Sequence, residues 1–325
     1  MVLANPLPAT EFDPNYEASG NGKNLTVGIA AYNEAANIGH LIERIQSDIG
    51  PTDQIIVVSS GSTDSTSDIV LHYSKSDPRV RLIKEGRREG KSSAINKILS
   101  ASVGKMIFLV SADVLPSTGC IPKMVSAMQS DSAVGIVSSR PYPVNGTHNF
   151  TGYLGHLYWR LHHETLSLLD ASNQNTHGGE AILLRQGVVS SIPDDCINDD
   201  AYIGVEAAKR GYIVRYCPQA MVMTKTPLTI TELIAQRRRV MAGHMKIRKH
   251  TGLYPSVLTT MTFKDPSKFV KIVSKELRSH PRSFPRFLVA TYIEAASTFL
   301  AILDRMFGRD NLLWRTAIST KVLER

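Results

Sequence analysis

Lys105-Met-Ile-Phe-Leu-Val-Ser-Ala-Asp113-Val-Leu-Pro116 sets an apolar strand ahead of a single carboxylate and a proline-bounded turn. In an open α/β sheet, ligands bind outside the carboxyl ends of the parallel strands, where a hard oxygen ligand can hold Mg²⁺ or Mn²⁺ against phosphate oxygens. Working outward, Leu25 to Ala31, Gln54 to Ser59, Val80 to Lys84 and Ala133 to Ser138 are further short apolar runs, with helical stretches between them. Continuous apolar strands separated by amphipathic segments predict a mostly parallel sheet flanked by helices and built from right-handed βαβ units.

The second half is less regular. A helix is expected from about Gly152 to Leu169, a strand near Ala181 to Leu184, a helix opening around Asp199 and a strand at Tyr212 to Tyr216. A further helix from Thr229 to about His250 is the most basic segment, and an apolar one runs from Phe284 to Phe307. The 325 residues are 42% hydrophobic and 20% charged, a globular composition. A net charge of +8 favours an anionic partner: a phosphorylated metabolite, a nucleic acid or an acidic membrane surface. Three cysteines without CxxC spacing argue against a disulfide framework or a zinc site and suit the cytosol. Residues 1–24 hold three prolines and two glycines with no apolar core, which predicts a flexible lead-in rather than a secretory signal.

Four turns carry polar groups to the strand ends. Ala31-Tyr32-Asn33-Glu34 follows the first strand; Ser59-Ser60-Gly61-Ser62-Thr63-Asp64 follows the second. After the third comes a basic loop ending Glu89-Gly90-Lys91-Ser92, whose helix amino end favours anions. It is not a P-loop, because Gly86 stands one position too close to Gly90. Asn198-Asp199-Asp200 opens a later helix, where two acids either cap the helix and complement its dipole or do chemistry.

In this order the segments from about Leu25 to His250 resemble the inverting, nucleotide-sugar-dependent glycosyltransferases of the GT-A fold, glycosyltransferase family two. The resemblance rests on Tyr32-Asn33-Glu34, on Gly61-Ser62-Thr63-Asp64, and on Gly90-Lys91 with Asn96 five residues after the lysine. It implies a donor site of Ala31, Tyr32, Asn33, Glu34, Ser59, Gly61, Lys91, Ser111, Ala112, Asp113, Gln236 and Arg239. The family's Asp-x-Asp falls on Ser111-Ala112-Asp113, so Asp113 alone is left as the implied ligand for Mg²⁺ or Mn²⁺. The acidic pair before Gly-Ser is replaced by Ser59-Ser60, which leaves the base unnamed. His177-Gly178-Gly179-Glu180 is similar to the glycine-rich strand of the acceptor side, with Gly178, Gly179 and Glu180 as acceptor residues. Asp200 falls on the catalytic base and Asp199 on its acidic neighbour. Gln236-Arg237-Arg238-Arg239-Val240 matches Gln-x-x-Arg-Trp with the tryptophan replaced, which weakens a processive polymerase reading.

The implied enzyme is a cytosolic hexosyltransferase moving a sugar from a nucleoside diphosphate to a saccharide or lipid-linked acceptor. Its domains would be a catalytic unit over 25–250 and a helical extension over 251–325. Two other readings are a non-catalytic glycan- or membrane-binding relative and a sugar-nucleotide pyrophosphorylase. The latter lacks its glycine- and arginine-rich loop after the first strand. Nucleic-acid binding is disfavoured by the absence of stacking aromatics in the basic helix. In the Phe284 to Phe307 helix, Thr291, Glu294, Ser297, Thr298, Asp304 and Arg305 share an arc of roughly 140°, leaving a broad apolar face. That face predicts either a helix lying on the inner face of the cell membrane or one packed on the domain or a partner.

Overall fold

The computed structural model describes residues 24–309 and 318–320. All of the expected lead-in but Asn24 therefore lies outside the described residues, as do the other residues of the C-terminal extension. In chain order the elements are β1 (Leu25–Ala31), α1 (Ile38–Gln46), β2 (Gln54–Ser60), α2 (Thr66–Ser76), β3 (Val80–Glu85), α3 (Lys91–Ala101), β4 (Met106–Ser111) and β5 (Leu115–Pro116). There follow α4 (Cys120–Gln129), β6 (Val134–Pro143), α5 (Phe150–Asp170), β7 (Ala181–Arg185), α6 (Asp199–Lys209), β8 (Ile213–Thr224), α7 (Ile230–Thr251), α8 (Leu258–Lys264), α9 (Pro266–Ser279) and α10 (Phe284–Met306).

One eight-stranded sheet runs β3-β2-β1-β4-β7-β6-β8-β5. Strands β3, β2, β1 and β4 are parallel; β1, β2 and β4 are apolar runs buried on both faces, and β3 is the partly exposed edge. β7 then enters antiparallel to both β4 and β6, and β6 pairs parallel with β8, so the sheet is mixed. Alternation along each strand sends residues to opposite faces. Val27, Ile29, Ile55, Val57, Phe108 and Val110 pack under α1, α2 and α4. Ile56, Val58, Ile107 and Leu109 pack under α3 and α6. A third apolar cluster joins α5 and α7 to α8, α9 and α10, through Leu154, Leu157, Leu161, Leu233, Met261, Ile272 and Ile293. This topology leaves a crevice at the carboxyl ends of β1, β2 and β4, where β7 reverses the strand direction.

Candidate active site

The first two strand-end turns are bonded to each other before any ligand arrives. Asn33 adopts a positive φ of 53°, and its N–H donates to the Ser62 hydroxyl at 3.1 Å. Its side-chain oxygen accepts from Thr63 N–H, while Glu34 N–H donates to Thr66 and Ala35 N–H to Asp64. Glu34 is buried and accepts from the Asn37 amide at 2.8 Å. Ser59 is fully buried, its hydroxyl donating to Ser62 and accepting from Ser67, so the side chain is engaged in building the turn. Gly61, at φ +66°, lies under the basic loop; a Cβ there would stand 2.3 Å from the backbone nitrogen of Arg88. Arg88 in turn stacks over the Tyr32 ring at 4.1 Å. Arg87, Arg88 and Glu89 border an open groove of about 860 Å³. Asn96, five residues beyond Lys91, makes a two-way amide pair with the backbone of Ile192, which identifies it as a tie between helix and loop.

The charged residues converge on the other side of β4. A narrow pocket is lined by Lys91, Ser111, Gly179, Glu180, Asp199 and Asp200 among others. Lys91, the first residue of α3, bonds Asp199 at 2.9 Å. Burial draws its ammonium down, but Asp199, Asp200 and Glu180 hold it above its ordinary value. Glu180 is pushed up to about 7 by burial and by the charges of Asp200, Asp113 and Asp199, against the pull of Lys91. Asp200 is also raised by burial; His177 opposes this, Asp199 adds to it, and Lys91 and the Ala201 N–H oppose it again. Arg239 arrives from α7; burial lowers its guanidinium, opposed by Glu180, Asp199, Asp113 and Asp200. Asp113 and Asp200, 87 positions apart, thus act on the same two side chains, Glu180 and Arg239. Ala112 is buried, and its N–H extends the ladder to Ala30, so that Asp113 stands two residues past the end of β4. Gln236 sits half-buried on α7, three residues before Arg239.

Helix α6 is held in place from both ends of this cluster. Gly178 backs directly onto it, since a Cβ would come within 2.7 Å of the Asp200 carbonyl oxygen. Asn198, at the N-cap position, spends its amide on the Val240 carbonyl of α7 at 2.9 Å rather than on capping. His177, which was not among the expected site residues, stands with Nδ1 3.6 Å from Asp200 Oδ2 and accepts the Gly179 N–H at 3.1 Å. Behind it the rings continue edge to face through His162, at 5.0 Å, to Trp159. His162 is driven well below its ordinary value by burial and by the charges of His177, Arg237 and His163. His244 is lowered to about 3 by burial, with His177 and Arg237 adding to it. The only sequence signal for His177 is its position directly before Gly178-Gly179-Glu180. Among the described residues no three His, Cys, Asp or Glu side chains form a metal cage. A lone strand-end carboxylate fits an Mg²⁺- or Mn²⁺-type ion that leaves most positions to water and phosphate. Asp113 would hold such an ion.

The sequence profile of Glycosyl transferase family 2 matches residues 26–192. Among curated proteins, the chain is 22% identical over 240 residues to a poly-beta-1,6-N-acetyl-D-glucosamine synthase of Staphylococcus epidermidis, covering 71% of this chain and 57% of that one. It is 29% identical over 143 residues to a glucosyl-3-phosphoglycerate synthase of Mycolicibacterium smegmatis, covering 42% and 47%. The chain spans little more than half the length of the first of these relatives. Among solved structures, a mannosyltransferase from Pyrobaculum calidifontis, in complex with GDP-Man and Mn²⁺, superposes with a TM-score of 0.62 at 19% identity, over 93% of this chain and 91% of that one. The glucosyl-3-phosphoglycerate synthase of Mycobacterium tuberculosis, with Mn²⁺, UDP-Glc and phosphoglyceric acid, does so with 0.51 at 20%, over 72% and 82%.

Proposed function

The chain belongs to Glycosyl transferase family 2, and from that premise we propose that it is an inverting glycosyltransferase with Asp200 as general base. The observation that carries this reading is the gathering of Lys91, Glu180, Asp199 and Asp200 around one pocket at the sheet's switch point, with the charge of Asp113 bearing on Glu180 and Arg239. An acceptor hydroxyl lying against Asp200 gives up its proton as its oxygen attacks the anomeric carbon, from the side opposite the departing diphosphate. The raised affinity of Asp200 for a proton suits that task, because a base tuned toward working pH takes the proton more readily. On the far side, Arg239 and Lys91 face the negative charge that builds on the diphosphate. An Mg²⁺ or Mn²⁺ ion held by Asp113, when bound, neutralises part of that charge. The donor is a nucleoside diphosphate sugar whose base and diphosphate lie along Ala31–Glu34, Ser59, Gly61 and Ser111–Asp113, with Gln236 near the diphosphate. The acceptor, a saccharide or lipid-linked alcohol, enters by Gly178, Gly179 and Glu180.

The three buried free cysteines suit a reducing compartment, and we place the protein in the cytoplasm. Asp200→Asn is expected to lower the transfer rate by about a thousandfold while leaving donor affinity within about twofold. Transfer by that variant at more than about a tenth of the parent rate removes Asp200 from the base role.

A further inference from the structure

Helix α10 carries two acids on its inner face and a row of large apolar side chains on its outer one. Its polar side chains point into the protein: Glu294 bonds Arg237 at 2.5 and 3.1 Å, Asp304 bonds Arg238 at 2.6 Å through Nε and again through Nη2, and Ser297 reaches the Ile234 carbonyl of α7. Opposite this face and the buried Ala290, Ile293 and Ala301, a row of large apolar side chains points outward. Tyr292 is 73% exposed, Met306 72% and Phe299 61%, with Phe284, Leu288 and Ile302 beside them. At 100° per residue these six fall within about 80° of arc, and Glu294, Ser297 and Asp304 within about 80° on the opposite side. The stripe is about 33 Å long.

We propose that this stripe docks on an anionic lipid bilayer, with α10 lying in the plane of the surface. Charge complementarity selects the occupant. Exposed Arg282 stands at one end of the stripe, Arg305 and Arg309 at the other, and exposed Lys271 and Arg278 on neighbouring α9 flank exposed Val270. Arginines at both ends of an apolar, aromatic-bearing stripe match the boundary between acyl chains and acidic headgroups. The run Pro281–Met306 is long and apolar enough to cross a membrane, with 28% of its most apolar window buried. It lies along the surface instead, because α7 packs against it through two ion pairs and a crossing would carry Arg237, Arg238 and their partners into hydrocarbon. The arrangement also deepens the transferase reading, on which this clause rests. Arg237 and Arg238 hold α10 while the next residue, Arg239, faces the four carboxylates, so the crevice is kept close to the bilayer and its acceptor is lipid-anchored.

The test is flotation of the full chain with vesicles of phosphatidylcholine alone, or with phosphatidylglycerol as about a third of the lipid. Recovery on the anionic vesicles is expected to be at least about tenfold higher and to fall in high salt. Phe299→Glu combined with Met306→Glu, both at exposed positions, is expected to cut it at least about tenfold with the melting temperature unchanged. Arg282→Glu with Arg305→Glu is expected to remove the salt-sensitive part alone. Equal flotation of parent and the Phe299/Met306 variant overturns the proposal, as does no flotation of the folded parent. A lipid-free dimer that the same variant turns into a monomer also overturns it, by assigning the stripe to a second copy. Loss of flotation with donor-induced thermal stabilisation intact refutes docking alone; flotation without such stabilisation refutes the transferase reading alone.

Discussion

Asp200 and Glu180 owe their raised proton affinity to burial first and to neighbouring carboxylates second, and each gives a pH test of a different kind. His177 is the foremost of the groups that oppose the rise at Asp200, ahead of Lys91 and the Ala201 N–H. His177→Ala is therefore expected to raise the Asp200 pKa further and to move the acidic limb of the rate profile to higher pH. Lys91, Asp199, Glu180, Arg239 and Asp113 surround the same carboxylates and stay in place, so an unchanged limb would mean that His177 does not act on Asp200. Glu180, at about 7, binds its proton more tightly in the fold than in the unfolded chain, where a glutamate titrates at about 4.3. Its neutral form favours the native state at low pH, and that contribution is lost as pH rises through about 7. The ligand-free Glu180→Gln variant should thus gain stability over the parent progressively across that window. A pH-independent difference in melting temperature would show that Glu180 is already ionised.

At the scale of elements, two contacts set how the crevice is built. The turn after β2 passes so close under the basic loop that only glycine fits at position 61. Gly61→Ala adds a left-handed backbone strain to a collision with the Arg88 backbone and is expected to cost about 2–3 kcal/mol in denaturant unfolding. The pair between α7 and α10 is partly buried, with Glu294 only 14% exposed. Glu294→Ala leaves Arg237 without that partner and should destabilise by about 3 kcal/mol, whereas Arg237→Met with Glu294→Leu should recover most of the loss. If the double variant is as unstable as the single one, the pair is not the source of the stability.

For the whole molecule, ligand linkage reports on the crevice without any assay of turnover. A nucleoside diphosphate sugar at a hundredfold excess over its dissociation constant stabilises the native state by about 2.7 kcal/mol. Thermal shifts with and without Mn²⁺ should therefore pick out the donor, and Asp113→Ala should erase the Mn²⁺-dependent part. An unchanged Mn²⁺ response in that variant would move the metal site elsewhere. The strands β1, β2 and β4 were legible in the chain because each is a nearly continuous apolar run with a turn at its end, and buried parallel strands have no other way to hide both faces. The short β5, the antiparallel insertion of β7 and the helices α8 and α9 were less so, since pairing direction and packing depend on distant partners. The same limit hid His177 beside Asp200, whose separation of 23 residues follows no helical or strand period. By itself the sequence determined which side chains stand at strand ends and that one late helix has two unlike faces, because local periodicity encodes both. Which carboxylates share a crevice, and that α10 turns its acids inward and its aromatics outward, only the tertiary structure decided, because burial and charge pairing arise between segments far apart in the chain.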